Sequence, residues 1–329
     1  MIGKEDFDKL LQARGTLVID GALATELEAR GSDLNHALWS AKILKDDPAS
    51  IEKVHLDYYL AGGDIAITAS YQAAPAGLRE HFGMDESAAR DMISASVDLA
   101  SQARQTAYEQ GLQRRMLVAG SVGPYGAYLA DGSEYRGDYI RTYKELKDFH
   151  RPRIQALVDA GVDLLALETI PNVNEIEALL ELLKEEFPDA VAWLSCTVGS
   201  PESLSDGTPW SDVLHLVNGH ADRIVGFGIN CIAMSIATDT LKNIVTLTPI
   251  PLVCYPNSGE TWDATTKTWQ SLQSGDVLYS DSKGTPGLAE ELDRWTGAGA
   301  KLIGGCCRTG PEYIKAVSHH LTETQNHKR

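Results

Sequence analysis

The residues with the most chemical potential lie in Gly304-Gly305-Cys306-Cys307-Arg308-Thr309. Adjacent thiols make a strained disulfide, but their thiolates can converge on one soft metal where the backbone turns sharply, as glycine permits. A third cysteine stands in a similar setting, Gly228-Ile229-Asn230-Cys231. Three thiolates with one open position describe a catalytic zinc site, tetrahedral with Zn–S near about 2.3 Å. The spacing is not that of a finger, and the other reading is burial of the three as small hydrophobes. Two carboxylates, Asp20 and Glu168, end otherwise apolar runs. A lone charge there is costly to desolvate unless paired. Each therefore calls for a cation, either a loop arginine or a ligand ammonium such as that of an α-amino acid. The Asp20-Gly21-Ala22 turn would offer free N–H groups to a carboxylate.

Composition bounds the possibilities. The chain has 329 residues, 43% hydrophobic and 23% charged, with a net charge of -17. That charge argues against nucleic acid or an anionic membrane as partner and suits a cationic small substrate. No apolar run approaches the roughly 20 residues of a membrane span. The start, Met1 to Asp6, lacks the apolar core of a signal peptide. With five cysteines, an odd number, the expectation is a reducing cytoplasm and free thiols.

The elements that must position these groups alternate. Strand-like runs occupy Thr16–Asp20, Asp64–Tyr71, Met116–Pro124, Leu164–Thr169, Ala190–Val198, Ile224–Cys231, Ile250–Pro256 and Lys301–Gly304. Helical spacing follows each, the main segments being Pro48–Leu60, Ser87–Glu109, Thr142–Ala160 (with Pro152 a potential kink), Asn174–Glu186, Trp210–Val217, a stretch ending near Leu247, Leu288–Gly297 and Pro311–Leu321. Eight such units predict an α/β fold, a (β/α)8 barrel in one domain over residues 1–329, with a frayed tail from 322 to 329. No GxGxxG follows the first strand, which counts against a dinucleotide fold. In a barrel the carboxyl ends of the strands carry the site. Asp20, Tyr71, Glu168, Asn230, Cys231, Asn257, Cys306 and Cys307 all fall there. Cys196 and Cys254 lie inside strands and read as core. His55 reads as packed, and His319, His320 and His327 as solvated. The loop from Glu260 to Pro286 carries Trp262 and Trp269 without a role that the residues define.

Several motifs together resemble the homocysteine S-methyltransferases. They are Asp20-Gly21-Ala22-Leu23-Ala24-Thr25-Glu26-Leu27, His55-Leu56-Asp57-Tyr58-Tyr59 through Thr68-Ala69-Ser70-Tyr71-Gln72, Glu168-Thr169, Gly228-Ile229-Asn230-Cys231, Tyr255-Pro256-Asn257-Ser258-Gly259-Glu260 and Gly304-Gly305-Cys306-Cys307-Arg308. The resemblance spans roughly residues 14 to 318. Ser121 to Tyr128 and Asp131 to Tyr139 are similar to the bacterial branch that uses S-methylmethionine. The resemblance implies zinc held by Cys231, Cys306 and Cys307, with Asn257 as a fourth ligand in the absence of substrate. It implies homocysteine bound by Asp20, Gly21, Ala22, Glu168 and Asn230. Trp39 and Tyr71 match aromatic positions that contact the donor in betaine-using relatives, and Tyr125 and Tyr128 join them as donor-region candidates. The implied reaction moves a methyl group from a sulfonium donor, S-methylmethionine or S-adenosylmethionine, to the homocysteine thiolate, giving methionine, in a monomer or small homo-oligomer. Competing readings are another donor or acceptor (betaine, selenocysteine), a zinc hydrolase, and a zinc or thiol redox sensor without catalysis. The all-sulfur ligand set disfavours the hydrolase, and a sensor has no need of carboxylates at the first and fourth strands.

Overall fold

The computed structural model describes residues 1–33, 38–258, 261–263, 268–270 and 286–326. Eight strands form one parallel sheet: β1 (Leu17–Val18), β2 (Ile65–Ile67), β3 (Leu117–Val122), β4 (Leu164–Ile170), β5 (Ala192–Cys196), β6 (Ile224–Asn230), β7 (Leu252–Tyr255) and β8 (Ala300–Ile303). Neighbours in sequence are neighbours in the sheet, β1 pairs with β8, and the bridge from Ile19 to Ile65 closes the cylinder. Parallel strands need crossover helices, and these cover the outside.

Buried on both faces, the strands divide their side chains between two cores with a period of two. Leu117, Ala119, Leu164, Ala166, Trp193, Val225, Val253 and Leu302 pack together inside the barrel. Val118, Leu165, Leu167, Ala192, Leu194 and Phe227 belong to the outer layer against the helices. Ile2, Phe7 and Leu11, from the N-terminal segment and its helix Lys4–Arg14, join the inner set and stopper the amino-terminal end. β6 and β7 approach so closely at Gly228 that a Cβ there would lie 1.9 Å from the Val253 carbonyl oxygen. Only glycine fits that position.

The expected alternation holds, with local differences. The fifth strand ends at Cys196, and Val198–Ser200 turns into a hairpin with Ser203–Leu204. Pro152 lies inside one continuous helix, Tyr143–Asp159, which a Thr142–Glu145 capping box starts and the buried His150, Arg153, Ile154 and Leu157 anchor on either side of the proline. The long polar loop after β3 contains a helix, Tyr125–Leu129, and a 3-10 turn, Ser133–Tyr135. Of the tail expected to fray from 322 to 329, residues 322–326 instead continue the last helix, Pro311–Asn326, and 327–329, His327 among them, lie outside the described residues. Leu321 is buried, Thr322 and Thr324 hydroxyls bond the carbonyls of Ser318 and His320, and Gln325 lies against Gly15. Of the loop 260–286 the structure describes Thr261–Asp263 paired antiparallel with Thr268–Gln270 and the start of the helix Pro286–Gly297. No helix of the described residues is long and apolar enough to cross a membrane.

Cys196 and Cys254 are fully buried in the core, as their positions suggest. His55 is also fully buried, and neither ring nitrogen has a hydrogen-bond partner among the described residues. Burial lowers its pKa from 6.5 to about 4. The unfolded chain takes up a proton below pH 6.5 that the folded chain refuses, so this residue removes stability as pH falls toward 4. At pH 5 the loss is about 2 kcal/mol. In urea titrations the stability of His55→Leu relative to wild type should therefore rise by that amount between pH 7.5 and pH 5. A pH-independent difference would refute neutral burial.

Candidate active site

Cys231 follows the last residue of β6, and Cys306 and Cys307 occupy the turn after β8. The three Sγ atoms lie within 4.8 Å of one another, with Cys231 and Cys307 at 3.6 Å. Tetrahedral Zn–S bonds would separate sulfurs by about 3.8 Å, so the pocket between them has the right scale for a soft metal ion. The backbone creates this convergence. Cys231 takes a left-handed conformation (φ 53°), which re-aims its side chain at the strand end. Cys231 N–H donates to Tyr255 O and Cys306 N–H to Pro256 O, at 3.2 and 2.8 Å. Thr309 Oγ1 closes the cysteine turn on Cys306 O at 2.6 Å. Without a cation the thiols compete for protons. Hydrogen bonds from Cys306 and Cys307 hold Cys231 well below the usual thiol range, and their bonds to Cys231 push those two up. A divalent ion would allow all three to be thiolates.

Both predicted carboxylates are present and buried. Asp20 Oδ2 accepts from Ile67 N–H at 2.9 Å. Glu168 accepts from the Ser121 hydroxyl and, at 3.2 Å, from the Tyr255 hydroxyl. Neither forms an ion pair among the described residues, so no loop arginine neutralises them there. Burial pushes Asp20 well above the carboxylate range, with the Glu168 charge adding to the effect, and pushes Glu168 up to about 7. Two desolvated acids, one of them raised further by the other's charge, form a seat for a cation.

The neighbouring turn is less open than the sequence suggested. Ala22 N–H is committed to Thr309, 2.9 Å from its carbonyl oxygen and 3.3 Å from its hydroxyl. Of the pair, Gly21 N–H is the donor with no acceptor among the described residues. Asn230 spends both ends of its amide on Thr169, accepting from its N–H and donating to its hydroxyl at 2.8 Å each. It thereby braces a residue with φ 64° beside Glu168. Asn257 Oδ1 accepts from Cys307 N–H at 3.1 Å, so in this state it shapes the cysteine turn. Tyr71 lies against Gly123, where a Cβ would sit 2.7 Å from its ring. Tyr125 and Tyr128 instead pack on each other and on Phe149, their rings 5.5 Å apart, and Tyr128 donates to Glu80. Trp39 opens the helix Trp39–Asp46, and its side chain lies outside the described residues.

Other residues of the site escaped the sequence reading. The Tyr135 hydroxyl is 3.4 Å from Cys231 Sγ. Behind the rim, Arg153 donates to the carbonyls of Tyr71 (2.7 Å) and Gly123 and to His150 Nδ1. That contact leaves His150 Nε2 as the protonated nitrogen, donating to Glu175 Oε1 at 2.7 Å. Glu175 also accepts from Tyr125 N–H and the Tyr139 hydroxyl. One buried chain of bonds thus ties the loops after β2, β3 and β4 together. The only sequence signal was a helix, Tyr143–Asp159, with charged residues on its inner face.

A model of the homocysteine S-methyltransferase family matches residues 17–321. Homocysteine S-methyltransferase of Escherichia coli K12 is 52% identical over 309 residues, 94% of this chain and 96% of its own. Homocysteine S-methyltransferase YbgG of Bacillus subtilis is 44% identical over 313 residues, 94% of this chain and 95% of its own. The crystal structure of the metallated form of the homocysteine methyltransferase MmuM from Escherichia coli superimposes with a TM-score of 0.84 at 50% identity, covering 94% of this chain and 98% of that one.

The buried chain predicts a stability effect remote from the sulfurs. Glu175→Ala strands three donors at once, and loss of one partner from such a buried charged network costs about 3–5 kcal/mol. Urea unfolding should show that loss, and a change under 1 kcal/mol would mean water replaces the carboxylate.

Proposed function

The chain belongs to the homocysteine S-methyltransferase family, and on that basis we propose that it transfers a methyl group from a sulfonium donor to the sulfur of homocysteine, with zinc held by Cys231, Cys306 and Cys307. The observation that carries the reading is the convergence of three sulfurs within 4.8 Å beside two buried carboxylates that form no ion pair among the described residues. Zinc in an all-thiolate setting supplies a Lewis acid that keeps a substrate thiol, of ordinary pKa about 8.5, ionised at neutral pH. Asp20 and Glu168 bind the homocysteine ammonium, and Gly21 N–H serves its carboxylate. Ser121 and Tyr255 hold Glu168 in place for that task. The amino acid is thereby anchored with its sulfur directed toward the cysteines.

The donor's leaving group is a neutral thioether, so the site needs no general acid. Positive charge on the donor is lost as the methyl moves, and the protein's contribution is alignment of the two sulfurs and the carbon between them. Tyr71, at the rim, offers an aromatic face to the cation. With S-methylmethionine as donor, both products are methionine.

Cys306→Ala should lose bound zinc by elemental analysis, and its methyl transfer should fall by more than the roughly 10–100-fold typical of an outer-shell partner. Full methyl transfer without metal would overturn the assignment. Glu168→Ala should raise the homocysteine KM by about 30-fold or more, as expected for leaving a buried ammonium unpaired. An unchanged KM would remove Glu168 from the substrate site.

A further inference from the structure

We infer that Glu134 is the residue that receives the positive charge of the methyl donor, an inference that rests on the proposed function and extends it to a second anionic subsite. Glu134 lies in the Ser133–Tyr135 turn, next to the tyrosine whose hydroxyl reaches Cys231. Its carboxylate is felt electrostatically at the Tyr71 and Tyr135 hydroxyls, and Cys231 in turn acts on Glu134. The carboxylate is therefore near both the aromatic rim and the sulfurs, on the side where the structure brings the Tyr135 hydroxyl to Cys231.

Its Oε2 is buried and has no hydrogen-bond partner among the described residues. Burial pushes the carboxyl up to about 7, with the Cys231 charge adding to the effect. An isolated desolvated carboxylate is costly, and a cationic ligand relieves that cost. Arg136 of the same turn offsets this only in part, because its nitrogens are committed elsewhere. Arg136 gives Nε to Asp138 at 2.9 Å, one terminal nitrogen to Asp131 O at 3.0 Å, and the other to Ser133 Oγ at 3.3 Å.

The turn is held firmly enough to present a charge. Thr197 Oγ1 donates to Glu134 O at 2.9 Å, and Asn172 Nδ2 to Gly137 O at 2.8 Å. Gly126 packs under it, where a Cβ would lie 2.6 Å from Glu134 N. Asp20 and Glu168 are occupied by the ammonium of the first substrate, so a second cationic substrate needs an anion of its own. A sulfonium amino acid carries two positive centres, the sulfonium and the α-ammonium, and either could meet this carboxylate.

The test titrates zinc-loaded wild type and Glu134→Gln calorimetrically with S-methylmethionine and with a dimethylsulfonium carboxylate that lacks the α-amino group, and measures KM and kcat separately. Glu134→Gln should weaken donor binding and raise donor KM by about 30-fold, a loss much larger than that in kcat, with homocysteine KM and zinc content retained. Weaker binding of both donors assigns Glu134 to the sulfonium, and weaker binding of the amino-bearing donor alone assigns it to the α-ammonium; either supports the inference. Unchanged donor affinity and KM overturn it while leaving the methyl-transfer reading intact. Should wild type produce no methionine from homocysteine with any sulfonium donor, that reading falls and the role of Glu134 with it. If Glu134→Gln does not fold, Glu134→Asp, which keeps the charge but withdraws it, carries the same comparison.

Discussion

The end of β7 sets the spacing on which the site depends. The sulfurs come from the ends of β6 and β8, which share no hydrogen bonds in the sheet, and β7 lies between them. Tyr255 O receives Cys231 N–H and Pro256 O receives Cys306 N–H, so two consecutive carbonyls hold the two halves of the cluster in register. The next residue adds a third tie, from Cys307 N–H to Asn257 Oδ1. Tyr255 serves the carboxylate side as well, because its hydroxyl reaches Glu168, Ser195 and Trp193. A single short strand end therefore couples the sulfur cluster to the buried carboxylate Glu168.

Charge explains why the site looks unfinished by itself. Asp20 and Glu168 are buried and Glu134 is half-buried, all are raised by burial, and none forms an ion pair among the described residues, Arg153 and Arg136 offsetting the effect at Glu168 and Glu134 only in part. The three thiols bring their own competition for protons. Such an arrangement stores unfavourable desolvation that cationic ligands relieve. Its surroundings are built to resist collapse. Backbone at Thr169, Cys231 and Arg308 is left-handed without glycine, and Asn230 and the cysteine turn supply compensating bonds. Strain of this kind persists where neighbouring structure over-determines it.

Most of this architecture was legible because barrels translate sequence order into space. Once eight apolar runs alternate with helices, residues at their carboxyl ends share one rim, and Asp20, Glu168, Cys231, Cys306 and Cys307 follow. What sequence could not convey was which groups are already spoken for. Ala22 resembled a free amide but is tied to Thr309 through a contact spanning nearly the whole chain. Asn230 had the right place for a ligand contact but is occupied by Thr169. Glu134 and Tyr135 were hidden because a polar loop has no periodicity from which to infer direction. Arg153, His150 and Glu175 were invisible for another reason: charged residues on a helix ordinarily read as a solvated face, and only tertiary packing turns these inward. The tail extended past Leu321 because Gln325 finds a surface at Gly15, a contact between chain ends that no local pattern encodes.

The stopper formed by Ile2, Phe7 and Leu11 gives the barrel a polarity. Side chains fill the cylinder, so it is a packed core and not a channel. With its amino-terminal end covered as well, the face left for chemistry is the carboxyl rim, and the two ends of one barrel divide stability from reactivity.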